Sequence, residues 1–267
     1  MSEEGTPGRN GDTARGKPEA RARTWPGSDV APQLPYVTII IPVYNEEGLM
    51  ETAIRSLREQ LAESFEWPYE LIIAENGSTD ATVPIARKLS EKYPEVRTIS
   101  LSEPNYGRAL KRAILESRGT FVFCDEIDLC DITFYQGALE KLELGYDLVI
   151  GSKLLAGAED TRPMFRHMAS MVLKGLLRTL VGFKGTDTHG LKAFHRDHML
   201  DVVADCRIDQ DMFASELVIR AERSKVRISE IPLRVVEKRN PSVNLLRRIP
   251  HVLKSLARLT ISIRFGG

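Results

Sequence analysis

The run Tyr36-Val-Thr-Ile-Ile-Ile-Pro42 constrains the fold of this chain more than any other segment. A short, continuous apolar run closed by proline suits a strand buried on both faces, as in a parallel sheet whose two sides are covered by helices. Similar runs recur at Glu70–Ala74, Val96–Leu101, Thr120–Cys124 and Asp147–Gly151. Between them the apolar residues switch to helical spacing. Leu49, Ala53, Ile54, Leu57 and Leu61 share one face, and so do Tyr106, Ala109, Leu110, Ala113, Ile114 and Ser117. Further helices are expected from Asp80 to about Lys92 and near Phe134–Leu144, with Asn45 and Asp80 as N-caps. Strand–helix alternation at this spacing predicts a doubly wound α/β sheet.

The segments on either side of this core have a different character. Residues 1–35 are rich in Gly, Pro, Arg and Glu and poor in large apolar side chains, so they are expected to form a disordered tail. Met164–Phe183 reads as a basic amphipathic helix, followed by a mixed stretch at Asp187–Phe194 and a helix at about Met212–Arg223. Val226–Val236 has strand character interrupted by Pro232, which suits a sheet edge. Leu245–Phe265 is again amphipathic and basic, with Leu245, Leu246, Ile249, Val252, Leu253, Leu256, Leu259 and Ile263 on its apolar face.

Charge is balanced overall, 37 basic against 37 acidic residues, so no global field draws the chain to nucleic acid. The balance hides an asymmetry: residues 161–186 carry five Lys/Arg and no acid, and residues 238–267 carry seven and no acid. Basic amphipathic faces of this kind suit an anionic membrane surface on which the protein lies without spanning it. No apolar run approaches the ~18 residues of a membrane span, and no apolar leader opens the chain, so neither a transmembrane helix nor a signal peptide is expected. The three cysteines, Cys124, Cys130 and Cys206, are too few and scattered for a disulfide framework or a zinc site. They read as reduced thiols of a cytoplasmic protein.

Chemistry concentrates in the loops. The strand Thr120–Cys124 empties into four carboxylates, Asp125, Glu126, Asp128 and Asp131. Unpaired charge of that density does not belong inside a strand, whereas the carboxyl end of a strand is where α/β proteins place ligands. Hard oxygen ligands at this spacing suit Mg²⁺ or Mn²⁺ beside a phosphate, although a solvated acidic turn has the same composition. Three other loops carry Pro42-Val-Tyr-Asn-Glu46, Glu75-Asn-Gly-Ser-Thr-Asp80 and Asn105-Tyr-Gly-Arg108. In a parallel sheet all four converge on one edge. Acids there can hold a base, a ribose and a metal, and Arg108 at a helix N-terminus can meet a diphosphate.

The series PVYNEE, ENGSTD, NYGRA and DEIDL, spaced by helices, resembles the family-2 glycosyltransferases of GT-A fold over roughly residues 36–237. The resemblance implies a three-layer α/β/α sandwich with a mostly parallel central sheet, placed at residues 36–240; the basic amphipathic helix at 241–267 is read from its own periodicity and charge. The resemblance also implies a nucleotide-sugar donor held by Pro42, Tyr44, Glu46, Glu75 and Arg108, with Mg²⁺ or Mn²⁺ on the donor diphosphate. Glu126-Ile-Asp128 is the natural counterpart of the family's DxD motif, with Asp125 and Glu126 competing for the place beside Asp128 and Asp131 as a helix cap. Glu75-Asn76 stands where the family has Asp-Asp, which bears on donor identity.

The second half, through Gly151-Ser-Lys153, Thr186-Asp-Thr-His-Gly-Leu-Lys192, Glu216 to Arg220, Glu230-Ile-Pro232 and Glu237-Lys-Arg239, is similar to dolichyl-phosphate mannose synthases and related polyprenyl-phosphate glycosyltransferases. That similarity places Lys153, His189, Lys192 and Arg239 near donor or acceptor phosphates. It implies metal-dependent, inverting transfer to a polyprenyl phosphate by a protein lying on the inner face of the membrane. A phosphate acceptor is already ionised, whereas a hydroxyl needs a general base. Asp209, Asp211 and Glu216 are the candidates for that base, Asp211 first. The alternatives are a soluble glycan or small-molecule acceptor, and a non-catalytic nucleotide-sugar or lipid-binding protein.

Overall fold

The computed structural model of the chain describes residues 34–160, 164–210, 212–235 and 245–265. The expected tail, apart from its last two residues, lies outside these, as do Asp211 and Arg239. The chain runs β1 (Val37–Val43), α1 (Met50–Ser64), β2 (Tyr69–Glu75), α2 (Thr82–Lys92), β3 (Val96–Ser100), α3 (Tyr106–Leu115), β4 (Phe121–Cys124), α4 (Ile132–Glu143) and β5 (Leu148–Ser152). It continues with β6 (Glu159–Asp160), α5 (Met164–Val181), β7 (Lys192–His195), α6 (Arg196–Asp205), α7 (Phe213–Arg223), β8 (Ile228–Pro232), β9 (Arg234–Val235) and α8 (Leu245–Phe265).

Seven strands form one sheet in the order β3-β2-β1-β4-β7-β5-β8, and β6 pairs with β9 apart from it. Every neighbouring pair in the large sheet is parallel except those made by β7, which runs antiparallel between β4 and β5. This is the α/β sandwich with a mostly parallel sheet that the resemblance implies. Strand order reverses between β1 and β4, so the crevice at the carboxyl ends of those strands is the expected ligand position. Because β7 runs the other way, it delivers its first residue, Lys192, to this same edge.

Period-2 alternation divides the core. Ile39, Ile41, Leu71, Ile73, Phe121 and Phe123 face the layer of α1, α2 and α4, while Ile40, Ile72, Ala74, Val122 and Cys124 face that of α3, α6 and α7. Each wholly buried Ile or Leu contributes roughly 1.5–3 kcal/mol of transfer free energy, which makes a one-residue slip in register prohibitive. At Gly119 a Cβ would meet the Thr38 backbone nitrogen at 2.5 Å, so only glycine lets the turn into β4 pass β1. Helix α8 buries Leu256, Leu259 and Ile263 against the second layer, whereas Val252 and Leu253 of the expected apolar face are exposed.

Two expected caps differ in detail. Asn45 lies well before α1 with a left-handed φ of 53°, and α1 begins after Leu49 without a side-chain cap. Asp80 sits one residue ahead of the α2 cap but still accepts from Thr82 N. Asp131 caps α4, accepting from Phe134 N at 3.1 Å. Strand β7 and helix α6 replace what reads as a mixed stretch in the sequence, and β8 takes the sheet edge that Pro232 requires.

Candidate active site

The β1–α1 and β2–α2 loops form one side of the crevice and are laced together. Asn45 N donates to Ser78 Oγ and Asn45 Oδ1 accepts from Thr79 N, at 3.0 and 2.9 Å. Glu46 N donates to Thr82 Oγ1, Glu47 N to Asp80 Oδ2, and Ala81 N to Glu47 Oε2. Pro42, near the end of β1, and Glu46, on the first of these loops, are half-buried, and Tyr44 on the same loop is exposed. Glu75, expected at the nucleotide, is wholly buried. One carboxylate oxygen accepts from Ser78 N at 2.5 Å and the other from the Ser100 hydroxyl. Its neighbour Asn76 accepts Asn105 N on its side-chain oxygen, tying the second loop to the start of α3. There Asn105 caps the helix, and the exposed Arg108 pairs with Asp209 at 3.0 Å.

The acidic cluster is divided by the alternation of β4. Phe123 faces the α4 layer and Cys124 the other, so Asp125 turns back toward α4. It is 2% exposed and all its acceptors are used: Oδ1 takes Glu126 N at 2.5 Å, and Oδ2 takes Asp131 N at 3.2 Å and the Tyr135 hydroxyl. Burial raises its pKa to about 7 against the pull of these hydrogen bonds. Ile127 is buried, and the residues on either side of it, Glu126 and Asp128, reach solvent.

Glu126 looks into the crevice. Protein packed around it raises its pKa, a shift countered by Lys153 and Lys192 and reinforced by Asp128 and Asp187. Lys192 comes from β7, where it pairs with Cys124 across the ladder. It is 4% exposed, donates Nζ–H to Gly190 O at 2.8 Å, and has its pKa lowered by burial in spite of Asp187. Tyr106, the first residue of α3, closes the same space, its phenol pushed up by burial and by the nearby Glu126 charge.

The loop before β7 completes the wall. Asp187 is buried, accepts from His189 N at 2.8 Å and stands 3.4 Å from Lys153 N. His189 Nδ1 lies 3.0 Å from Thr188 Oγ1, and Thr188 meets Ser215 of α7. Gly190 passes so close to Gly151 that a Cβ would overlap its carbonyl oxygen.

The structure therefore brings Glu126, Asp128, Lys153, Asp187 and Lys192 into one electrostatic group; Asp125 feels the Glu126 charge as well, but both of its oxygens are already bonded to protein. Glu216, a candidate base in the sequence, is wholly buried with both oxygens bonded to protein, so it cannot reach an acceptor. Asp187 and Tyr106 had no site role in the sequence reading. The signal for Asp187 was an acid beside the Gly-Leu-Lys run that opens a strand. Among the described residues no three His, Cys, Asp or Glu side chains form a ready metal cage. Two carboxylates at the strand-end crevice nevertheless fit Mg²⁺ or Mn²⁺, which take one or two protein carboxylates and complete their shell with other oxygen ligands such as phosphate and water.

The model of glycosyl transferase family 2 matches residues 38–202. The chain belongs to that family. It is 30% identical over 239 residues to the glycosyltransferase AglD of Haloferax volcanii, covering 85% of this chain and 38% of that protein. It is 27% identical to a dolichyl-phosphate beta-glucosyltransferase of Dictyostelium discoideum, covering 76% of this chain and 67% of that one. This family-2 chain thus spans well under half the length of AglD and about two thirds of the second relative. Its fold is that of glucosyl-3-phosphoglycerate synthase from Mycobacterium tuberculosis, solved with Mn²⁺, UDP and phosphoglyceric acid. The TM-score is 0.61 at 19% identity, over 86% of this chain and 78% of that one.

Proposed function

We propose that this chain transfers a sugar, with inversion, from a nucleotide-sugar donor to a polyprenyl phosphate at the cytoplasmic face of a membrane. The observation that carries the reading is the juxtaposition of Glu126 and Asp128 with Lys153 and Lys192 at the β1/β4 crevice. Carboxylates suit a metal-bound donor diphosphate, and the ammonium groups near them suit an anionic acceptor. The names of relatives that act on dolichyl phosphate support the acceptor class. The structural neighbour solved with Mn²⁺ and UDP supports the donor class.

In this reading the β1 and β2 loops, with Pro42, Tyr44 and Glu46, flank the nucleoside, and buried Glu75 shapes that wall from behind. Glu126 and Asp128 would hold the divalent cation, which supplies charge neutralisation for the leaving diphosphate. Arg108 lies within reach of the same phosphates once it exchanges its exposed pairing with Asp209. Lys153 and Lys192 orient the phosphate nucleophile opposite the leaving group, and His189, with Arg239, belongs to that acceptor side. An ionised phosphate needs no base. Asp211 is reserved for the reading in which the acceptor is a hydroxyl.

The membrane assignment rests on α5 and α8. Helix α5 exposes Met164, Phe165, Met168, Met171 and Val172, and α8 exposes Val252, Leu253, Ile261 and Phe265. Both carry basic residues and no acid. Arg223 ties them together, donating to Ile263 O and Val181 O. No described helix is long and apolar enough to cross a membrane, and the exposed apolar residues flanked by basic ones suit contact at the surface.

A second reading has one observation behind it: the fold neighbour was solved with phosphoglyceric acid, a water-soluble anion. Incubation with labelled nucleotide sugars, Mn²⁺ and either a polyprenyl phosphate or soluble acceptors separates the two. Label in the organic phase supports the lipid acceptor, and label confined to the aqueous phase sinks it.

A further inference from the structure

The loop between α6 and α7 is held from two sides. In front, α3 grips it. Lys111 Nζ donates to Ala204 O and Cys206 O at 2.9 and 2.7 Å, and Arg108 N donates to Asp209 O at 3.1 Å. The Asp209 carboxylate accepts from Asn105 Nδ2 and Arg108 Nη2, at 3.1 and 3.0 Å. Gly107 packs so tightly there that a Cβ would lie 2.6 Å from Asp209 C. Behind, one oxygen of Glu216 accepts from both Arg207 N at 2.9 Å and Ile208 N at 2.6 Å.

The other Glu216 oxygen leads to α8. It accepts from Arg220 Nε at 2.9 Å and from Ser262 Oγ at 2.6 Å, and Arg220 Nη2 lies 3.1 Å from the same hydroxyl. A wholly buried carboxylate with four donors from three elements cannot shift without leaving some of them unsatisfied, at a cost of about 1–3 kcal/mol each. Contacts therefore run from α8 through Glu216 to Arg207 and Ile208, along the backbone to Asp209, from Asp209 by hydrogen bonds to Arg108 and Asn105, and through Asn105 N to Asn76 on the β2 loop.

We propose that Glu216 is a positioning residue: through it, the seating of α8 on α7 sets the 207–209 loop, and that loop sets Arg108 and the amino end of α3 at the crevice. The last step rests on the reading above that Arg108 serves the donor. The consequence is that whatever loosens or secures the basic C-terminal helix is felt at the nucleotide side of the site.

The test uses the full chain and three variants: Glu216→Gln, Ser262→Ala and Thr260→Ala. The last removes a hydroxyl bonded only within α8, to Leu256 O. Hydrogen exchange and UDP binding with Mn²⁺ are read on each. Glu216→Gln and Ser262→Ala should speed exchange at the amides of Arg207, Ile208 and Arg108 and weaken UDP about threefold to tenfold. Thr260→Ala should do neither. In an Asp209→Asn background Ser262→Ala should add less than it does alone, because the side-chain contacts of Asp209 to Asn105 and Arg108 are already weakened, leaving the backbone bond from Arg108 N to Asp209 O. Should Glu216→Gln not fold, Ser262→Ala carries the test. Faster exchange confined to α8, an equal effect from Thr260→Ala, or simple multiplication of the Ser262 and Asp209 effects would overturn the proposal. Faster exchange at Arg108 with unchanged UDP affinity upholds the coupling and instead removes Arg108 from the donor site.

Discussion

Asp125 and Glu126 are adjacent acids with opposite fates, and substitution should separate them. Asp125 collects three donors in a buried pocket, so Asp125→Asn sets an amide N–H₂ against at least one group, a backbone N–H of Glu126 or Asp131, that can only donate, or forces the Tyr135 hydroxyl to turn around. Urea unfolding should show a loss of about 1–3 kcal/mol. Tyr135→Phe should cost a comparable amount by removing one of the three donors. Glu126→Gln, on the solvent-reaching side, should leave stability within about 0.5 kcal/mol. Equal destabilisation by Asp125→Asn and Glu126→Gln would contradict the division. This split was legible in the sequence in one respect: counting faces from Phe123 sends residue 125 to the α4 layer and residue 126 to the other. What the sequence could not show is that Glu75 finds Ser100 25 positions away, or that Glu216 meets Ser262 46 positions away. Such partners are decided by the packing of elements, not by local spacing.

A second residue-scale prediction concerns the far end of the sheet. His195 stacks on His198 with ring centroids 4.0 Å apart, and its buried Nδ1 has no hydrogen-bond partner among the described residues. Burial, then the neighbouring His198, lower its pKa. A histidine whose folded pKa lies below the unfolded value contributes stability that is present above the unfolded pKa near 6.5 and lost as pH falls. His195→Phe should therefore stabilise the fold at pH 7 by on the order of 1 kcal/mol for the removed orphan nitrogen, read as a higher melting temperature. It should also flatten the decline in stability between pH 7 and pH 5. An unchanged acid slope would show that His195 is not the group responsible.

Among the elements, the strands were the most legible, because a parallel strand buried on both faces is written as an uninterrupted apolar run. Strand β7 was not. It has four residues, opens on a lysine, and owes its place to antiparallel insertion between β4 and β5 rather than to any pattern of its own. Helix α8 has the bounds its periodicity predicts, but its stripe is divided, with Leu256, Leu259 and Ile263 inward and Val252 and Leu253 outward. The outward part should bind lipid with help from its charges. In sedimentation with vesicles of mixed zwitterionic and anionic lipid, Lys254→Glu with Arg258→Glu should weaken binding at least tenfold, given about 1 kcal/mol per basic residue near the surface. Binding that ignores both the reversal and the anionic lipid would contradict a peripheral electrostatic role for α8.

For the molecule as a whole, topology makes the site. Reversal of strand order between β1 and β4 opens the crevice, and the one antiparallel strand brings a buried lysine to an edge otherwise built from loops. In the proposed function Glu126 and Asp128 hold a metal-bound nucleotide diphosphate there while Asp125 only supports the turn. Calorimetric titration of UDP into the full chain, with and without Mn²⁺, separates these roles. Binding should depend on Mn²⁺, and Asp128→Asn should weaken it by at least tenfold, on the scale of one lost charge-assisted contact. Asp125→Asn, measured where it remains folded, should keep that dependence. UDP binding that is indifferent to Mn²⁺, or that survives Asp128→Asn and fails with Asp125→Asn, would contradict these roles.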